Sequence, residues 1–228
     1  MAEVWDPHGS LRRMVWIGGA QWAGKTTVSE LIARQLGLTV YHYDYHDARG
    51  HQDRRIARRV ALGEPVADPG PEQVWTERGP EEMAAETLAG FPLRFEWALD
   101  DLRALSTGRP AIAEEWGLRP ELVAPLLDSV RRMVVLVPTE DFRQHQIRTV
   151  PRAGALGVPV SDPARAQANR MARDRLVAED AVRGARRPAS GRLGVRVIEV
   201  DGTRDAAAVA SLVAEQFAPW LGPSAQAG

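Results

Sequence analysis

The octapeptide Gly19-Ala20-Gln21-Trp22-Ala23-Gly24-Lys25-Thr26 limits what this chain can become, because its G-x-x-x-x-G-K-[ST] spacing joins an apolar run to an amphipathic one. Met14 to Gly18, before it, reads as a strand. After it, Val28, Leu31, Ile32 and Gln35 or Leu36 recur at helical spacing, the stripe that packs a helix back on a sheet. Glycines at 19 and 24 permit backbone angles and a close approach that side chains forbid, so successive N–H groups can turn toward phosphate oxygens beside a helix N-terminus. Gly19, Ala20, Gln21, Trp22, Ala23, Gly24, Lys25, Thr26 and Thr27 are therefore the candidate nucleotide-binding residues. Lys25 offers a compact ammonium to the β- and γ-phosphates, and Thr26 a hydroxyl to Mg²⁺. Trp22 is unusual in such a loop. It reads as a shield against water, the alternative being a cap on the nucleotide or on a neighbouring subunit.

Among 29 basic residues Lys25 is the one lysine, so the remaining positive charge is carried by arginine. The formal net charge of -1 argues against a bulk polyanion binder. With no cysteine, disulfides, thiolate zinc, iron–sulfur clusters and thiol catalysis are excluded. At 228 residues, 44% apolar and 26% charged, the chain suits one globular domain. Its start, MAEVWDPHGSLRR, is polar, and no apolar run approaches the roughly 18 residues of a membrane helix, so a soluble cytoplasmic protein is expected.

Further apolar runs at 39–43, 111–113, 133–137 and 195–200 bring the candidate strands to five. Helical patterns near 48–62, 80–90, 92–106, 119–130, 139–146, 163–186 and 204–218 alternate with them. That alternation predicts an α/β domain with a parallel sheet. Residues 219–228 read as a frayed tail. Ligands of such sheets gather at the carboxyl ends of the strands, which directs attention to four places.

After the second strand, in Tyr41-His42-Tyr43-Asp44-Tyr45-His46-Asp47, period two puts His42, Asp44 and His46 on one face. Asp44, with Asp47 as second choice, is the candidate to take a proton from an attacking hydroxyl or to hold a metal-bound water. The plainer alternatives are a helix cap at Asp47 and an Arg partner for Asp44; a metal site at His42, His46 and Asp47 is the weaker one. At the end of the third strand Glu114 is placed to orient substrate or water around Mg²⁺, while Glu115 reads as a solvated acid. From Arg143 to Arg187, 10 arginines face 4 acids, and Arg170 and Arg173 share a helix face. A closing lid could aim both at a transferring phosphoryl group; a solvated face is the bland alternative. No aromatic stacking array accompanies this patch, which argues against nucleic acid. Lastly, Asp201-Gly202-Thr203 after the final strand would lie near the adenine, although D-G is first of all a turn.

In order along the chain, the loop GGAQWAGKTT, the acids in YHYDYHD and AEEWGLRPE, the Arg-rich NRMARDR and the terminal VIEVDGT resemble the P-loop nucleoside and small-molecule kinases, the group of adenylate kinase, shikimate kinase and chloramphenicol phosphotransferase. The resemblance implies a three-layer P-loop NTPase fold with strand order 2-3-1-4-5. It divides the single kinase domain into a core at about 12–44, 109–139 and 195–218, a helical substrate-binding insertion at about 45–108 and an Arg-rich lid at about 140–188. It further implies ATP with Mg²⁺ as donor, Lys25 on the phosphates, Thr26 on the metal, Asp44 at the acceptor hydroxyl, and Arg170 or Arg173 on the transferring group. The position after Glu114, often glycine in such kinases, is Glu115 here. The expected activity is transfer of the γ-phosphate to a hydroxyl of a small metabolite, nucleoside or antibiotic-like molecule by a monomer or homodimer. The alternatives are a nucleotide-dependent switch without transferase activity and a nucleic-acid end kinase.

Overall fold

The computed structural model describes residues 4–105, 108–187 and 194–221. Five strands form one parallel sheet: β1 Met14–Gly19, β2 Thr39–His42, β3 Ala111–Glu114, β4 Met133–Pro138 and β5 Arg196–Val200, in the order β2-β3-β1-β4-β5. The fold is thus the three-layer α/β architecture with the strand order implied by the kinase resemblance.

Alternation along the central strands builds two cores. Met14 and Trp16 of β1, with Met133, Val135 and Val137 of β4, face helices Pro80–Ala104 and Pro163–Arg186 through Phe95, Ala98, Leu102, Ala178 and Ala181. Val15, Ile17, Val134 and Leu136 point the other way. They pack on α1 (Lys25–Leu36) and helix Ala206–Leu221 through Val28, Ile32, Val213 and Phe217. Burial on both faces explains why these strands read as continuous apolar runs.

Several helix expectations need correction. Pro92 does not divide the 80–104 helix, and Arg94 bonds two carbonyls of the preceding turn, Nη2 to Thr87 O at 3.2 Å and Nε to Gly90 O at 3.3 Å. The pattern at 119–130 yields only the turns Pro120–Val123 and Ala124–Leu126. A wide π turn at His46–Gly50 precedes helix Gln52–Leu62. The last helix runs to Leu221, so 219–221 belong to it, while 222–228 lie outside the described residues. Asp162 and Thr139 cap the helices that follow them, accepting from Arg165 N at 2.9 Å and Phe142 N at 3.3 Å. At the last helix Asp205 Oδ1 accepts from Ala208 N, and Thr203 closes a turn on Asp201. Among the described residues no helix is long and apolar enough to cross a membrane.

Candidate phosphate-binding and transfer site

The loop from Ala20 to Gly24 leaves the end of β1 and feeds α1 at Lys25. Gly19 sits at φ +126°, where a Cβ would strike the Leu136 backbone of β4, and Ala20 N donates to Leu136 O at 2.8 Å. Gly24, at φ +76°, occupies the N-cap of α1 with no side-chain cap, which leaves the first N–H groups of the helix for an anion. Lys25 is buried at 5% exposure, with Nζ donating to Ala20 O at 2.8 Å.

Two acids from the end of β3 complete this cradle. Parallel register sets Glu114 beside Ile17 of β1 and His42 of β2. Its carboxylate accordingly meets Thr26 Oγ1 at 3.3 Å and His42 Nδ1 at 2.8 Å. Glu115 corrects the expectation of a solvated acid. Its backbone has φ +155°, its side chain is buried, and Oε2 lies 3.5 Å from Lys25 Nζ while Oε1 accepts from Gln21 Nε2 at 3.4 Å. Burial pushes the Glu115 carboxyl well above the usual range; Lys25 opposes that push, and Asp44 and Glu114 add to it. A backbone of this φ favours glycine, and the glutamate that stands here reaches the lysine.

The expected common face of His42, Asp44 and His46 does not exist, because β2 stops at His42 and a helical turn begins at Tyr43. Tyr43 is fully buried, wedged against Gly117 in the turn after β3, and burial raises its hydroxyl pKa. This wedge turns the chain. Asp44 remains exposed, and its negative charge beside Glu115 helps to raise the pKa of that carboxyl. Asp47 is taken up by Arg55 at 3.1 Å and Arg94 at 3.3 Å rather than capping a helix. His46 stacks on Tyr41, and both His46 and His51 reach Asp101, at 3.3 and 2.8 Å. The candidate metal set of His42, His46 and Asp47 is thereby dispersed among other partners.

From helix Pro163–Arg186, Arg170 donates to the Ala155 and Arg152 carbonyls at 3.2 and 2.9 Å and faces the Trp22 ring at 5.0 Å. Arg173 pairs with Asp174 and sits 5.1 Å from the Trp75 ring and 5.3 Å from Trp116. Arg175 turns away to Glu140 at 2.8 Å. The buried Arg119 binds helix Pro163–Arg186 through Asp180 and through Val177 O at 3.2 Å, fixing the turn after β3 against it. At the other end of the loop a cavity of 170 Å³ is walled by Trp22, Gly24, Val28, Phe142, Val200 and Val209, with Arg204 at its edge. Val200 and Arg204, on either side of Asp201-Gly202-Thr203, line this cavity, and those three residues do not.

Sequence reasoning missed Glu115, Asp174 and Phe142. Glu115 carried a signal in its place one residue beyond a strand end, whereas Asp174, an acid inside an Arg-rich helix, carried none.

No protein-family profile matches the chain, and no curated protein matches it significantly. Among solved structures it is similar to shikimate kinase from Aquifex aeolicus, at 15% identity and TM-score 0.43, over 94% of this chain and 99% of that one. It is also similar to a candidate kinase from Chloroflexus aurantiacus, at 16% identity and TM-score 0.42, over 89% and 97% of the two chains. Both are similarities of shape at low sequence identity.

Proposed function

We propose that this protein is an ATP- and Mg²⁺-dependent phosphotransferase acting on a hydroxyl of a small molecule. The observation that carries the reading is the buried Lys25 at an uncapped helix N-terminus, with Thr26 tied to Glu114 beside it. A buried ammonium and outward N–H groups fit a triphosphate, and a hydroxyl hydrogen-bonded to a buried carboxylate fits a hydrated divalent cation. Bound Mg²⁺ would supply charge neutralisation across the β- and γ-phosphates. Gly19 to Thr27 hold the phosphate chain, and the slot at Phe142 and Val200 takes the base. Asp44, exposed at the carboxyl edge of the sheet, receives the acceptor's hydroxyl proton as the acceptor oxygen bonds to the γ-phosphorus and the bond from that phosphorus to the β–γ bridging oxygen breaks, releasing ADP. Arg173 and Arg170 stabilise the charge spread over the transferring group and cover it from water.

The test is ATP consumption across a panel of hydroxylated metabolites and antibiotics. The reading expects acceptor-stimulated turnover that Asp44→Ala removes while nucleotide still binds. Persistent nucleotide binding with no turnover for any acceptor would favour a switch protein instead.

A further inference from the structure

Trp22 is the loop residue that a phosphate cradle least requires, and its backbone lies at φ +67°, a left-handed conformation that bulky residues avoid. Its surroundings hold it there. The indole Nε1–H donates to Asp174 Oδ2 at 3.1 Å, and the ring faces the guanidinium groups of Arg170 at 5.0 Å and Arg152 at 6.0 Å. Asp174 is 2% exposed. Its second oxygen, Oδ1, accepts from Arg173 Nε at 2.9 Å and lies 2.6 Å from Arg173 Nη2. Arg173 is further confined between Trp75 and Trp116, and Trp116 directly follows Glu115. One buried carboxylate thus holds a loop residue with one oxygen and a lid arginine with the other.

We propose that Asp174 is a positioning residue that fastens the helix Pro163–Arg186 to the phosphate loop, setting the Trp22 conformation and the Arg173 position together. Trp22 also lines the 170 Å³ slot, so a group entering there meets the same indole that Asp174 holds. On the nucleotide-binding reading, occupation of the slot is transmitted through Trp22 and Asp174 to Arg173. Simple burial of an ion pair would tie Arg173 down without making it responsive to the loop. The carboxylate shared with the indole N–H is what adds the connection.

The experiment follows the Trp22 Nε1–H and Arg173 Nε–H resonances in wild type and Asp174→Asn, without nucleotide and during addition of Mg-ATP. Removing the charge is expected to shift both resonances in the free protein. In wild type Mg-ATP is expected to move both; in Asp174→Asn it moves Trp22 alone. An unchanged Trp22 resonance in the free variant overturns the joint, and an Arg173 response equal to wild type overturns the coupling. A wild-type protein in which both resonances ignore Mg-ATP, yet both shift in free Asp174→Asn, sinks the nucleotide reading and keeps the joint. Should Asp174→Asn fail to fold, Trp22→Phe keeps a ring and removes only the donor. It is expected to shift Arg173 Nε–H and to speed protease cleavage within residues 155–162 of the free protein by about tenfold, the scale of a hydrogen bond to a charged group. No change in either overturns the proposal.

Discussion

Thr26 Oγ1 lies 3.3 Å from each carboxylate oxygen of Glu114, 88 residues further along the chain, and Glu114 is 2% exposed. A hydroxyl has one hydrogen to give, so one acid oriented by parallel register fixes the direction in which Thr26 presents its lone pairs. Glu114→Gln is expected to weaken the Mg²⁺ dependence of nucleotide binding by about 10–100-fold, the usual cost of losing a partner that orients a metal-binding group. A Mg²⁺ titration of the ATP dissociation constant measures this; an unaltered Mg²⁺ dependence contradicts it.

Gly19 and Gly24 both have positive φ but different surroundings. A Cβ at Gly24 meets nothing within 4 Å, so Gly24→Ala carries only the left-handed backbone cost, about 1–2 kcal/mol. At Gly19 the same methyl collides with Leu136 O and comes within 2.6 Å of Leu136 N in β4. Gly19→Ala is therefore expected to lose clearly more stability than Gly24→Ala in urea unfolding, and equal losses would contradict the packing described.

Arg119 is 1% exposed and shares its charge between Asp180 of helix Pro163–Arg186 and Glu121, whose carboxylate lies 3.4 Å from Nε. Asp180→Ala leaves Glu121 as the remaining acid. The expected loss is about 1–3 kcal/mol, the cost of a hydrogen bond to a charged group rather than of a fully broken buried pair. Thermal unfolding reads this directly, and an unchanged midpoint contradicts it.

Burial holds Glu115 well above its ordinary pKa of 4.5. Such a group is protonated in the folded chain at pH values where the unfolded chain has released the proton. Its contribution is complete below 4.5 and is lost as pH rises through the raised folded value. Glu115→Gln lacks the titrating proton. As pH rises above 4.5 the unfolding free energy of the variant is expected to fall less than that of wild type. Parallel urea-denaturation profiles contradict this.

The legible part of this protein was whatever repeats with a period or a fixed spacing. Five apolar runs gave the strands, and Gly19 to Thr26 gave the loop between β1 and α1, because those features are local. What stayed hidden depends on tertiary contacts. β2 ends at His42, opposite the last residue of β3, and the Tyr43 ring after it fits against Gly117, far along the chain, where a side chain would collide with it. Pro92, a helix breaker by itself, lies inside one continuous helix, Pro80–Ala104, packed in the core. Glu115 reads as a surface acid until the fold sets Lys25 against it. Asp47, a second choice for the acceptor side, proves to be held by Arg55 and Arg94 from two different helices.

Calorimetric titration of Mg-ATP into the folded protein bears most directly on the proposed phosphate cradle. A saturable heat at one site per chain, abolished in Lys25→Ala with folding intact, is the predicted result. No heat from wild-type protein with Mg-ATP or Mg-GTP would contradict it.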